Sequence, residues 1–261
     1  MAALVDSASP PAPATSAVSD LVSKFPDEAA ENSAMVQFMA EIMLKYRNND
    51  EASATERLKR YLAWRKEIFG NLHDHSMAAD PVIGELLTRN LIQIVMPPGG
   101  TGSGPAMLFM RLRNHDPSKY PAPQVAKVWH FLIISTLRRD LEVARHGFVV
   151  MNNLTGAGFG NADISLPQIL GPAVSNCMPI RVVAAVLFNA PFVLQVVIGT
   201  MKLFFSKKLQ ERMHTVSDWD RGQLQGALGL SAALLPEQVG GKHVLMEGGA
   251  HVELYRGLNI T

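Results

Sequence analysis

The sequence predicts an α/β protein in which a helical N-terminal region precedes a mostly parallel β-sheet. Residues 20–70 carry apolar side chains at helical spacing, as at Leu58, Leu62 and Ile68. After Pro105, short and almost continuous apolar segments alternate with segments of helical spacing. Buried parallel strands that are joined by crossover helices have this pattern. We therefore expect a helical part followed by an α/β part.

The composition is typical of a folded protein with a large core. Of the 261 residues, 48% are hydrophobic and 18% are charged, which excludes a disordered chain. The net charge of +1 creates no general attraction to nucleic acid, so we expect no nucleic-acid partner. The single cysteine, Cys177, excludes an internal disulfide and a metal site built from cysteines alone. This cysteine usage is common in reducing compartments.

No membrane span and no export signal are predicted. The first residues lack the basic region and the apolar core of a signal peptide. The longest strongly apolar stretch, residues 192–205, has 14 residues and includes Gln195 and Lys202. A helix that crosses a bilayer needs roughly 20 apolar residues. We therefore expect a soluble, cytoplasmic protein.

The chain divides into a tail and two domains. Residues 1–20 are rich in Ala, Ser and Pro and predict a flexible tail. Residues 21–95 predict a helical domain, which the turn-rich segment 97–105 ends. The predicted helices of this domain cover residues 35–46, 55–69 and 81–90.

The helix boundaries follow from local signals. Asn32 or Ser33 can cap the first helix, and Gly70 is a natural stop for the second. Asp80, which precedes a proline, opens the third.

Residues 105–261 predict the α/β domain. Its predicted strands cover residues 106–113, 147–154 and 181–189. Its predicted helices cover residues 123–145, 167–178, 191–204, 206–216 and 218–229. The segment 234–246 is expected to end in a short strand.

The chemical motifs of the sequence are incomplete. The glycine-rich segment 156–160 follows a strand, but Asn161 stands where a dinucleotide-binding loop needs a small residue. The segment 99–104 lacks the lysine and hydroxyl of a phosphate-binding loop. His73 and His75 have no clear third ligand, so a solvated loop is favoured over a metal site. With no nucleophile elbow or placed acid–base pair, we expect no catalytic residues, no cofactor and no metal.

Residues 192–205 and the segment that follows are unusual. The predicted helix is apolar nearly all round, which fits either a central core helix or a helix with an exposed apolar face. Lys208 and Arg212 lie four residues apart on one face of the next predicted helix, and Arg181 begins a strand. These cations form either a solvated face or a site for an anionic membrane surface.

Several segments together resemble the CRAL-TRIO lipid-binding domain family. Residues 147–156, 178–181, 188–191 and 235–242 occur in the order and spacing of that family, and residues 43–69 resemble its helical N-terminal domain. The resemblance covers about residues 35–250. Residues 201–214 are similar to the tocopherol- and retinoid-carrier branch.

The resemblance implies a specific architecture. The helical domain would precede a lipid-binding domain whose mostly parallel sheet forms the floor of an apolar cavity, and a mobile lid helix at 192–205 would close it. The expected phosphoinositide-binding residues are Arg181, Lys208 and Arg212. The residues expected to bind the cargo are His130, Ile133, Ile134, Leu137, Phe148, Val150, Leu154, Ile164, Leu187, Phe192, Leu194 and Val196.

The sequence departs from that branch at several positions. Val183 stands where the tocopherol carriers have a second arginine, and Leu203 replaces the usual proline at the end of the lid. Asn153 replaces a common aspartate. His130 and Ile134 occupy positions where that branch presents two serines, and His130 can hydrogen-bond a cargo hydroxyl or carbonyl.

The resemblance implies a carrier and not an enzyme. We expect a small hydrophobic lipid, similar to a tocopherol, retinoid, sterol or phospholipid, to be exchanged at phosphoinositide-containing membranes. Phe192, Val196, Phe204 and Phe205 are the candidates to enter the membrane. The alternative is a regulatory module that senses phosphoinositides without net lipid transfer. An enzyme that acts on a hydrophobic substrate is a third possibility, with no placed catalytic group to support it.

Overall fold

The computed structural model describes residues 12–73, 80–97, 99, 104–226 and 228–256. Within these residues the N-terminal part is helical, as the periodicity predicts. Its helices are α1 (Thr15–Val22), α2 (Pro26–Tyr46), α3 (Glu51–Phe69) and α4 (Pro81–Thr88).

Side-chain caps define these helices. Asn32 lies at a kink inside α2, with non-helical backbone angles, and its Oδ1 accepts the amide of Met35 at 3.0 Å. The predicted cap therefore exists, inside a longer helix. Asp50 accepts the amide of Ser53 at 3.1 Å and starts α3. Gly70 ends α3 in the left-handed region, with φ of 78°.

Helix α1 occupies part of the segment for which the sequence predicts a flexible tail. It begins at Thr15 and buries Val18 and Leu21 in the core. Two apolar residues on one face are enough to dock a short helix on a neighbour, so composition alone extends the tail too far. Residues 1–11 lie outside the described residues.

A five-stranded, mostly parallel sheet forms the centre of the C-terminal part, which confirms the predicted fold class. The strands are β1 (Ile92–Val95), β2 (Ala106–Arg111), β3 (Phe148–Asn153), β4 (Val182–Phe188) and β5 (Met213–Val216). They lie side by side in chain order; β1 is antiparallel to β2, and the other neighbours are parallel. The two edge strands were not predicted.

The remaining helices are mostly short. They are α5 (Ala122–Arg139), α6 (Val143–His146), α7 (Ser165–Pro172), α8 (Phe192–Lys202), α9 (Lys207–Gln210), α10 (Gly222–Gln225) and α11 (Gly248–Arg256). Single 3-10 turns cover Leu112–Asn114, Phe159–Asn161, Asp218–Asp220 and Glu237–Val239, and a π turn covers Ala173–Cys177.

Several predicted helix boundaries are wrong. The helix predicted over 206–216 is α9 followed by β5. The helix predicted over 123–145 is interrupted at Asp140, whose backbone is extended. Of the predicted helix over 218–229, the described residues form a 3-10 turn and α10, because the glycines of this segment are poor helix formers. In place of a strand, segment 234–246 has a single bridge between Pro236 and His243.

The sheet has a separate apolar core on each face, because successive side chains of a strand point to opposite sides. On one face Met107, Met151 and Val186 pack against the chain between residues 224 and 245. On the other face Leu108 and Met110 share a core with α5 and with the N-terminal helices. The functional features lie on this second face.

Candidate functional site

An apolar cavity lies between the second face of the sheet and helices α5, α7 and α8. Its atom-free space is about 1190 Å³, part of which is open to solvent. The lining residues are Ile92, Leu108, Met110, Leu112, His115, Val125, Trp129, Val150, Asn152, Leu154, Ala162, Asp163, Leu166, Pro167, Leu170, Val174, Val182, Ala185, Leu187, Leu194, Val197, Ile198, Met201, Phe205, Leu209 and Met213. A concave, mostly apolar site of this kind is typical of small-molecule binding.

The two central strands form the floor of the cavity. Strand β3 contributes Val150 and Asn152 by strict alternation. Strand β4 contributes Val182 and Ala185, three residues apart, because the register with β3 shifts near Val183. Val183 is thereby turned outward and is 38% exposed.

Helix α8 is apolar on both of its faces. Leu194, Ile198 and Met201 face the cavity. On the opposite side Phe192 is 86% exposed and Val196 is 79% exposed. Only Leu194 of this helix is buried, so α8 is not a central core helix. A large apolar surface that is exposed to solvent is typical of an interaction site.

The predicted cargo residues fall into three groups. Val150, Leu154, Leu187 and Leu194 line the cavity. Ile164, Phe192 and Val196 are exposed and adjoin lining residues in the sequence. Buried outside the lining are His130, Ile133, Ile134, Leu137 and Phe148. Of the residues expected to enter a membrane, Phe205 lines the cavity instead and Phe204 is half-buried.

The rotation of α5 separates His130 from the cavity. Val125 and Trp129, one turn apart, face the cavity, whereas His130 faces the N-terminal helices. Its Nε2 lies 2.8 Å from the hydroxyl of Tyr61, and its ring packs edge-on to Phe69 with the ring centroids 5.4 Å apart. His130 therefore links the two parts of the chain and does not reach a cargo group in the cavity.

The polar side chains of the lining are His115, Trp129, Asn152 and Asp163, and none of them is among the residues predicted to bind the cargo. His115 Nδ1 lies 3.1 Å from the carbonyl oxygen of Asn161, and Asp163 accepts the amide of Ser165 at 2.8 Å. The alternation of β3 contained a usable signal, since Asn152 shares a face with Val150 and Leu154.

Two of the three predicted cations lie at the amino ends of neighbouring parallel strands, and the third, Lys208, lies in α9. Arg181 immediately precedes β4, and Arg212 immediately precedes β5. Arg181 and Lys208 are exposed, while Arg212 is half-buried and donates to the carbonyl of Val182. Among the ion pairs formed by described residues, none involves these three side chains.

The glycine-rich segment after β3 is a tight turn. Gly156 has φ of 75°, and Asn161 Oδ1 accepts the amide of Gly158 at 2.9 Å. Asn161 also donates to the carbonyl of His115 at 2.8 Å, so it fastens this turn to the segment after β2.

Two other sequence features are only partly described. Asp74 and His75 lie outside the described residues, as does most of segment 97–105. Within the described ranges no three histidine, cysteine or carboxylate side chains are grouped as metal ligands. The described helices include none that is long and apolar enough to cross a bilayer.

Comparison with known proteins agrees with this geometry. Residues 93–241 match the family model of the CRAL/TRIO domain, a range that begins within β1 and ends shortly before α11. The chain is also similar in fold to the crystal structure of Sfh5, with a TM-score of 0.52 and 10% identity over 92% of this chain and 90% of that chain. Binding of a hydrophobic lipid is typical of this family. Since the family model covers more than half of the chain, the protein belongs to the CRAL/TRIO domain family of lipid-binding proteins.

Proposed function

We propose that this protein carries a small hydrophobic lipid in the cavity and exchanges it at phosphoinositide-containing membranes. The observation that carries the proposal is the two-sided apolarity of α8, which has one face on the cavity and Phe192 and Val196 open on the other. The alternation of β3 and the bulge in β4 support it by giving the sheet a floor that is apolar except at Asn152.

Burial drives both steps of the carrier cycle. An apolar cargo in the cavity is stabilised by about 25 cal/mol for each Å² of apolar surface removed from water. At a membrane the exposed face of α8 enters the interface, and the bilayer offers the cargo an equivalent apolar environment. The difference in free energy between the two sites is therefore small, and exchange proceeds without catalysis.

In this proposal the exposed cations make the protein bind anionic membranes in preference to neutral ones. Arg181 and Lys208 are free to contact phosphate groups, and each basic side chain near an anionic surface contributes about 1 kcal/mol. Arg212 has a second role, because it also holds the carbonyl of Val182. Val183, exposed two residues after Arg181, offers no charge where the sequences of the tocopherol carriers have an arginine, so we expect a weaker cluster than theirs.

The experiment is cargo transfer between vesicles. Protein that is loaded with its native lipid is mixed with acceptor vesicles of phosphatidylcholine, with or without phosphatidylinositol bisphosphate. We expect Arg181→Ala with Lys208→Ala to reduce binding to the anionic vesicles roughly 30-fold, since two contacts are lost. Lys24→Ala, at an exposed position before α2, is the control for the loss of a cation elsewhere on the surface.

Each outcome has a defined meaning. Faster transfer to phosphoinositide vesicles, reduced by the double variant and not by Lys24→Ala, supports the proposal. Equal transfer to both kinds of vesicle contradicts the role of the cations. Protein that binds phosphoinositide vesicles but has an empty cavity, and that takes up no lipid, would instead be a sensing module.

A further inference from the structure

The polar groups of the cavity restrict the chemistry of the cargo. Of its lining side chains, His115, Trp129, Asn152 and Asp163 carry nitrogen or oxygen atoms. The lining contains no lysine or arginine. Arg181 and Lys208 each precede a lining residue, Val182 and Leu209, but are themselves exposed and outside the lining, so no cation of the described lining can neutralise a buried anion.

Two of these four groups are already engaged by the backbone. His115 is held between the carbonyl oxygens of Asn161 and Tyr120, at 3.1 and 3.4 Å. Asp163 accepts the amide of Ser165 at the start of α7. These contacts fix the geometry of the cavity wall and leave the two groups less free to bind a cargo.

The amide of Asn152 is in a different position. In the sheet register Asn152 stands opposite Met110 on β2 and Leu187 on β4, so its neighbours across both strands are apolar lining residues. Within the described part of the chain, the amide forms no hydrogen bond. Trp129 is the other polar lining side chain that forms no hydrogen bond within the described residues, and its indole N–H offers a single donor.

We propose that the cargo is a neutral amphiphile, an apolar chain or ring system with a hydroxyl, carbonyl or amide group, and that Asn152 binds that polar group. This inference rests on the carrier function proposed above. An apolar cargo displaces water from the cavity, and an amide that is left without a partner there opposes binding. A cargo that supplies a donor or acceptor to Asn152 removes this penalty.

Charged headgroups are disfavoured by the same lining. A carboxylate or phosphate would be desolvated with no basic partner, and the carboxylate of Asp163 would repel it. Fatty acids and phospholipids are therefore poor cargoes, whereas prenols, sterols and retinoids with a hydroxyl or carbonyl fit. The anionic lipid is bound outside, by the cations, and the neutral lipid inside.

The test compares headgroups on constant skeletons. Delipidated protein is offered hexadecanol, hexadecanoate, hexadecylamine and hexadecane in equimolar pairs, with geranylgeraniol and geranylgeranoic acid as a second skeleton, and native mass spectrometry reads the occupancy. We expect each alcohol to exceed its acid by at least tenfold, because the described lining offers the acid no cationic partner. In Asn152→Leu the ratio of alcohol to hydrocarbon should fall roughly tenfold, the effect of one lost hydrogen bond.

Controls separate recognition from folding. Asn176→Leu makes the same change at an exposed asparagine outside the lining and should leave the ratio of alcohol to hydrocarbon unchanged. Asn152→Leu should keep the thermal stability of the wild type, because it replaces an amide without a protein partner. The headgroup order of the wild type tests the proposal even if that variant does not fold.

Four results would overturn the inference. Equal or tighter binding of the acids would show that the cavity accepts anions, and preference for the amine would assign the polar end to Asp163. An unchanged ratio in Asn152→Leu would remove the role of Asn152. If lipids of neither skeleton bind at all, the carrier proposal itself fails, and this inference fails with it.

Discussion

Replacing the open face of α8 tests the membrane step most directly. Phe192 and Val196 are 86% and 79% exposed, so Phe192→Ser with Val196→Ser removes apolar surface that contributes almost nothing to folding. Full burial of a phenylalanine or valine side chain is worth about 1.5–3 kcal/mol. With partial burial in the interface, the pair contributes about 3 kcal/mol to membrane binding, which is roughly a 100-fold change in partition.

The assay is partition of the protein between buffer and vesicles, followed by cargo transfer under the same conditions. The free energy of unfolding should change by less than about 0.5 kcal/mol, as is usual at exposed positions. Val244→Ser is the matched control, because Val244 is 71% exposed on the C-terminal segment. If the α8 variant binds and transfers as the wild type does, the open face of α8 is not the membrane contact, and the reasoning is refuted.

Two further predictions concern the buried side chains of Arg57 on α3 and His251 on α11. Arg57 is buried on α3, and both its Nε, at 2.9 Å, and its Nη2 donate to the carbonyl of Met178. Arg57→Leu should therefore lower the free energy of unfolding, measured by urea titration, by about 2–3 kcal/mol. Arg57→Lys should lower it by less. A loss under about 0.5 kcal/mol would contradict this link between α3 and the segment that precedes β4. Burial lowers the pKa of His251 on α11, so the unfolded chain binds the proton first and stability should decrease as the pH falls below about 6.5. His251→Gln should flatten this decrease between about pH 7 and 5, and an unchanged pH profile would show that other groups cause it.

Local sequence patterns were sufficient for much of the fold. The caps at Asn32 and Asp80 and the stop at Gly70 depend only on neighbouring residues, so the N-terminal helices could be predicted. The three central strands could be predicted because a strand that is buried on both faces is apolar throughout. The edge strand β5 is only four residues long, and it was hidden in a segment with helical charge spacing.

The candidate site was only partly predictable for a similar reason. Val150 and Leu154 follow from strand alternation, and the exposed cations Arg181 and Lys208 follow from their pattern in the chain. The position of His130 could not be predicted, because α5 is buried on nearly all sides and the sequence of this helix does not show which face meets the cavity. A helix that packs between two partners takes its rotation from both of them.

By itself, then, the sequence determined the class of fold, the family and the unusual apolarity of residues 192–205. Hydrophobic periodicity, helix caps and turn residues depend on a few neighbouring positions, and the spacing of motifs is a property of the chain itself. Only the tertiary structure decided that Asn152 stands between Met110 and Leu187 on the cavity floor. It also decided that Phe192 is exposed to solvent whereas Phe205, in the same apolar segment, lines the cavity. These facts depend on strand register and on helix rotation, which are set by contacts between residues far apart in the chain.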